Sequence, residues 1–142
     1  MPDAEPRRIG KAAELRLADY LRRRGWSVIR APASGARSKQ PLPDIVAMKG
    51  GRILVLEVKY RETPRSIYIE EEKYIGIKEY AENAGAEAYL VVKVRGEEGY
   101  RAIEWSKAER QSLSNGTWYV FYKHVIDRAK SLDSVLVEHE VE

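Results

Sequence analysis

The stretch PDIVAMKGGRILVLEVK, Pro43 to Lys59, constrains the fold more than any other part of the chain. Apolar residues flank Gly50-Gly51, and a glycine pair suits a two-residue hairpin loop because both of its positions need positive φ. Closed there, the hairpin pairs residues whose numbers sum to 101: Lys49 with Arg52, Met48 with Ile53, Val46 with Val55, Asp44 with Glu57. One face is then wholly apolar, with Ile45, Ala47, Leu54, Leu56 and Val58. The other ends in two opposed acids, with Lys59 two residues beyond Glu57 on the same side. Opposed side chains have Cβ atoms ~4.5–5.5 Å apart, so the two carboxylates repel unless a positive charge sits between them. A hard divalent cation meets that demand. Mg²⁺ takes carboxylate oxygens at ~2.0–2.1 Å and keeps waters that can touch phosphate, and a lysine alongside can stabilise hydroxide or charge growing on phosphate. The plainer alternative is a surface Glu–Lys pair plus an aspartate in ordinary turn chemistry after proline. The shared register favours the metal site.

Around the hairpin the pattern alternates between helix and strand. From Ile9 to about Arg24, Ile9, Ala13, Leu17 and Leu21 recur at spacing four, and Gly25 supplies a stop. WSVIRA, 26–31, is a strand, and PASGARSKQPLP, 32–43, is a basic loop carrying Arg37 and Lys39. A short strand after RETPRS becomes a helix near Glu70, with Tyr74, Ile77, Ala81 and Ala84 as its apolar stripe and Gly85 as its stop. AEAYLVVKV reads as a central strand, apolar on both faces. YRAIEW and NGTWYVFYK supply two more strands. Residues 1–8 form a flexible basic arm, 9–142 a single domain, and 124–142 a partly irregular tail with a short helix. The order α-β-β-β-α-β-β-β predicts an α/β domain with a mixed central sheet flanked by helices.

Charge narrows the functional classes. Residues 1–40 hold ten Lys/Arg against four acids, a net +6, so the rest of the chain carries −3 of the overall +3. A basic third on a nearly neutral body is either a polyanion-binding face or a solvated helix surface. Arg7, Arg8, Lys11, Arg37 and Lys39 are the candidates for contact with a phosphate backbone. The absence of cysteine excludes disulfides, thiolate zinc sites and cysteine nucleophiles. No apolar run approaches the ~20 residues of a membrane span, and the N-terminus lacks a signal-peptide core. An intracellular protein with no membrane partner is the expectation. His124 and His139 are the only histidines and lie in the C-terminal region, which makes an imidazole base implausible.

Two further side chains have open roles. Glu14 borders the buried stripe of its helix and needs a partner, either a metal or basic group or an ordinary helix-surface pairing with Lys11 or Arg16. Arg30 shares a strand face with Trp26 and Val28, as a buried salt bridge or a phosphate clamp.

The PD at 43–44 and EVK at 57–59 resemble the PD-(D/E)xK nuclease superfamily. The first ninety or so residues resemble the archaeal Holliday-junction resolvases, through IGKAAELRLADYLRRRGWSVIRAPASG, PLPDIVA, ILVLEVK, YI before the acidic helix start, and GAEAYLVVKV. The resemblance implies a restriction-endonuclease-like fold and a homodimeric endonuclease, dependent on Mg²⁺ or Mn²⁺. Such an enzyme cuts four-way DNA junctions by paired symmetric nicks in recombination and repair. It would be cytoplasmic and nucleoid-associated, with recombination or replication proteins as further partners. By position, Asp44, Glu57 and Glu14 would hold metal, Lys59 would be the catalytic lysine, Arg30 would bind phosphate, and Ser34 would be the active-site serine. In many relatives a basic residue directly follows the helix glutamate, whereas here Leu15 does and Arg16 comes next. A helical step of about 100° separates those directions. Two alternatives remain: a flap, end or restriction nuclease of the same superfamily, or a non-catalytic DNA-binding domain of the same fold.

Overall fold

The structure, a computed structural model, describes residues 7–31 and 40–138, the side chain of Arg7 excepted. Helix α1 (Arg7–Arg23) buries Ala13, Leu17, Ala18 and Leu21 along one stripe. It begins two residues before the expected start, so Arg7 and Arg8 belong to the helix and not to an arm. Strands β1 (Ser27–Arg30), β2 (Ile45–Lys49) and β3 (Arg52–Arg61) follow. Next come β4 (Ile67–Glu70), α2 (Glu71–Ala84), β5 (Glu87–Val94) and β6 (Arg101–Glu104). A 3₁₀ turn at Trp105–Lys107 leads to β7 (Glu109–Leu113) and β8 (Gly116–Phe121). Helix α3 (Lys123–Asp127), β9 (Lys130–Ser131) and α4 (Leu132–Val137) close the described chain.

The main sheet has the order β1-β2-β3-β5-β6-β9. Only β3 and β5 run parallel in it, so the sheet is mixed, as expected. A parallel pair needs a long crossover connection, and β4 with α2 supplies it. One face packs against α1 and α4 through Leu17, Leu21, Ala47, Leu54, Leu56 and Leu136. The other packs Val55, Leu90 and Val92 against Ile77, Ile67 and Phe121. Each large aliphatic side chain so buried contributes roughly 1.5–3 kcal/mol.

Three features depart from the sequence expectations. The second layer contains a small sheet, β4-β8-β7, that the pattern did not indicate. Its β7, ERQSL, is almost wholly exposed and polar, so it shows no alternation. The tail, expected to be partly irregular with a short helix, holds two short helices and a strand, α3, β9 and α4, and Leu132, Val135 and Leu136 join the core with α1. In α2, Tyr74, Ile77 and Ala81 are buried as expected, but Ala84 is exposed. The glycine inside α2 has a steric reason. A Cβ on Gly76 would lie 2.9 Å from the Pro41 ring, so only a residue without one lets the segment before Asp44 pack on the helix.

Candidate active site

The hairpin forms in the expected register. Gly50 and Gly51 take φ of 57° and 85°, and β2 pairs with β3 from Lys49↔Arg52 to Ile45↔Leu56. One step on, Asp44 stands opposite Glu57. There β2 has ended, and the Val58 N–H donates to Asp44 Oδ2 at 2.8 Å. The Ala31 N–H donates to the Asp44 carbonyl at 2.9 Å, which ties the end of β1 to the same residue. Both ends of Asp44 are thus fixed by backbone donors.

Glu57 sits in the middle of a run, Leu54 to Val58, that is buried throughout, and it is only 1% exposed. A lone carboxylate there is costly unless it is paired. Its Oε2 lies 2.6 Å from Lys73 Nζ and 3.9 Å from Lys59 Nζ. Neither of its oxygens accepts a hydrogen bond of good geometry among the described residues. Burial, and then the negative charge of Glu57, push the Asp44 carboxyl up to about 8, with Lys73 and the Val58 N–H opposing. Lys73 is held above its ordinary value. Burial works against its charged form, but Glu57, Asp44 and Glu14 together outweigh that.

Lys73 escaped the sequence analysis. It is the third residue of α2, after Glu71 and Glu72. The first turn of a helix disfavours a cation, because the macrodipole is positive there. A lysine at that place was the one available signal. Its helix turn is locked by the neighbouring Tyr74, whose hydroxyl donates to the Trp105 carbonyl at 2.8 Å while the Trp105 indole donates back to the Tyr74 carbonyl at 3.2 Å. The Tyr74 ring stacks on Tyr119 at 3.9 Å and on Trp105 at 5.0 Å. The small sheet and the 3₁₀ turn therefore fix the helix turn from which Lys73 projects.

Glu14 is answered by Arg30, 3.6 Å away, and by neither Lys11 nor Arg16. Its carboxyl is raised by burial, with Arg30 opposing and Glu57 adding to the rise. Arg16 lines a cleft with Arg8, Tyr60, Lys93 and Tyr100, and Leu15 is exposed. Arg8 and Lys11 are exposed on α1. Ser34, Arg37 and Lys39 lie outside the described residues, as does the side chain of Arg7.

Among the described residues, no three acidic or imidazole side chains converge as a ready metal-holding group. The acids in direct opposition are two, Asp44 and Glu57, and Glu14 is occupied with Arg30. The pair nonetheless suits a hard divalent ion. Glu57 offers buried oxygens whose ion-pair partners among the described residues are the Lys73 and Lys59 ammonium groups, Asp44 is raised by burial and then by the charge of Glu57, and all donors are oxygen. The arrangement can hold a cation against an approaching polyanion, with Lys59 and Arg30 partly exposed alongside.

A family model described as archaeal Holliday junction resolvase (hjc) matches residues 5–139. The chain is 46% identical over 127 residues to the crossover junction endodeoxyribonuclease Hjc of Sulfurisphaera tokodaii, covering 89% of this chain and 85% of that one. To the Hjc of Sulfolobus acidocaldarius it is 45% identical over 85 residues, 60% of this chain and 59% of that one. The solved structure of Archaeoglobus fulgidus Hjc, a Holliday junction resolvase from an archaeal hyperthermophile, matches with a TM-score of 0.73. It is 25% identical, and the match covers 89% of this chain and 93% of that one.

Proposed function

The chain belongs to the archaeal Holliday junction resolvase family and is a crossover junction endodeoxyribonuclease, and we propose that it cuts four-way DNA junctions by paired, symmetric, Mg²⁺-dependent nicks. The observation that carries the metal assignment is the opposition of Asp44 and Glu57 across the Gly50-Gly51 hairpin, with Lys59 beside them. Asp44 and Glu57 would hold the ion, and Mn²⁺ is a suitable substitute. Bound there, the ion supplies Lewis-acid polarisation of the scissile phosphodiester and lowers the pKa of a water.

The chain's own groups do the rest. The Val58 N–H holds the Asp44 carboxyl in place opposite Glu57. Lys59, partly exposed, stabilises the attacking hydroxide or the charge growing on phosphate. Glu14 holds Arg30 at the rim, where its guanidinium can take a backbone phosphate. Arg8 and Lys11, exposed on α1, add sequence-independent contacts whose strength falls with salt; Arg7, Arg37 and Lys39 are assigned to the same backbone contacts, and Ser34 is assigned as the active-site serine. A two-fold homodimer would set two such sites at a fixed spacing, and symmetric nicking requires that. Nucleoid association follows from the substrate.

The test is a labelled four-way junction, a matched linear duplex and a flap, each with Mg²⁺ and with EDTA, alongside sedimentation equilibrium. Paired nicks on the junction alone, lost in EDTA, by a protein of dimer mass are the expected result. Equal cutting of linear or flap DNA overturns the junction specificity. Cutting that persists in EDTA overturns the metal assignment.

A further inference from the structure

Two ammonium groups stand near Glu57, but they are not equivalent. Lys59 is 3.9 Å from Oε2 and Lys73 is 2.6 Å from the same atom. They also approach from different elements. Lys59 extends from the strand that carries Glu57, whereas Lys73 comes down from the first turn of α2, held there by the Tyr74–Trp105 exchange. The charge of Lys73 acts on Asp44, Glu57 and Glu14 together. Lys73 therefore stands where a cation on Glu57 would stand, near enough to Asp44 for its charge to act there. A Mg²⁺–oxygen bond spans ~2.0–2.1 Å, so an ion on Glu57 Oε2 and an ammonium 2.6 Å from that atom are like charges on one oxygen and repel.

We infer that Lys73 is a built-in counter-ion of the acidic pair, competing with the divalent cation for Glu57 and swinging away when the ion binds. The side chain has the means to leave. Its charge is carried on a flexible four-carbon stem and it is 37% exposed, whereas Glu57 is 1% exposed and held in the central strand. Only the lysine can move without disturbing the core. As a positioning residue, Lys73 sets how tightly the site takes metal and compensates the buried charge of Glu57 until it does.

This inference rests on the assignment of Asp44 and Glu57 as metal ligands, and its test separates the two. Mn²⁺ binding is followed by electron paramagnetic resonance on wild type, Asp44→Asn, Lys73→Met, Lys73→Gln and Lys59→Met. Thermal unfolding of each is recorded in EDTA and in saturating Mn²⁺. Asp44→Asn should abolish binding; unchanged binding there removes the metal assignment and the inference with it. With that control in place, both Lys73 variants should bind Mn²⁺ at least about tenfold more tightly, and Lys59→Met should gain less. Both should melt below wild type in EDTA, and saturating Mn²⁺ should close the gap. Equal or weaker Mn²⁺ affinity in both Lys73 variants overturns the inference alone, as does a melting deficit that metal leaves unchanged. The glutamine variant keeps a polar group of similar reach, so it stands in if the methionine variant does not fold.

Discussion

Helix α2 takes part in two lysine–glutamate pairs of nearly equal length: Lys73–Glu57 at 2.6 Å and Lys78–Glu82 at 2.8 Å. In the second pair both partners are more than half exposed, at 54% and 60%. In the first the carboxylate is 1% exposed. Separation alone ranks them as equals, yet water screens the outer pair and adds little to its worth, while the inner carboxylate has lost its hydration and depends on whatever cation reaches it. Burial, more than distance, marks the functional end of the helix.

The sharpest way to break this contrast is to neutralise both acids. Glu57→Gln should lower junction cleavage by about a thousandfold or more, the scale of losing charge stabilisation at a metal-assisted transition state, while junction binding persists. Glu82→Gln should leave cleavage unchanged. Single-turnover rates on a labelled junction decide the matter, and near-normal turnover by Glu57→Gln would undo the site.

Acid–base behaviour gives a second, somewhat smaller effect. Asp44 is pushed up to about 8, whereas an unfolded aspartate titrates near ~3.9. Between those values the folded chain keeps a proton that the unfolded chain has released. Stability without metal therefore falls as pH rises through that window, and levels off above about pH 8. Glu14, also raised, adds with the same sign. Lys73, held above its ordinary 10.5, titrates outside the window. The melting temperature in EDTA should drop from pH 5 to pH 8, by an amount corresponding to a few kcal/mol. Asp44→Asn should flatten most of the slope, and an identical slope in that variant contradicts the account.

The smallest effect concerns Gly76, on the inner side of the same helix. Alanine is intrinsically better in a helix by about 1 kcal/mol, but its Cβ would lie 2.9 Å from Pro41, and overpacking of this kind costs roughly 1–3 kcal/mol. Gly76→Ala should therefore destabilise by about 1 kcal/mol net and slow cleavage by displacing the segment before Asp44. Glu79→Ala, on the exposed side, should do neither. Chemical denaturation of the two variants side by side measures the difference.

The hairpin and its acids were legible in the sequence because everything that defines them is local. A glycine pair sets the turn, period-two alternation sets the faces, and only twelve residues lie between Asp44 and Glu57. The α1 stripe and the central β5 strand were legible for the same reason. Lys73 was not, since its distance from Glu57 depends on how a crossover packs over a sheet, and EEEKY names no target for its lysine. The pairing of Glu14 with Arg30 likewise joins a helix to a strand edge. The small sheet stayed hidden because β7 is polar along its whole length. The C-terminal helix did carry the spacing Leu132, Val135, Leu136, but six residues are too few for a periodicity to stand out.

The parallel pairing of β3 with β5 has one more consequence. Topology obliges the chain to return over the sheet between these strands, so a helix start is delivered beside Glu57 whatever side chain it bears. If Lys73 competes with the ion as inferred above, position 73 is a tuning knob: its side chain can be exchanged to raise or lower the affinity for metal, and the architecture that delivers it need not be rebuilt.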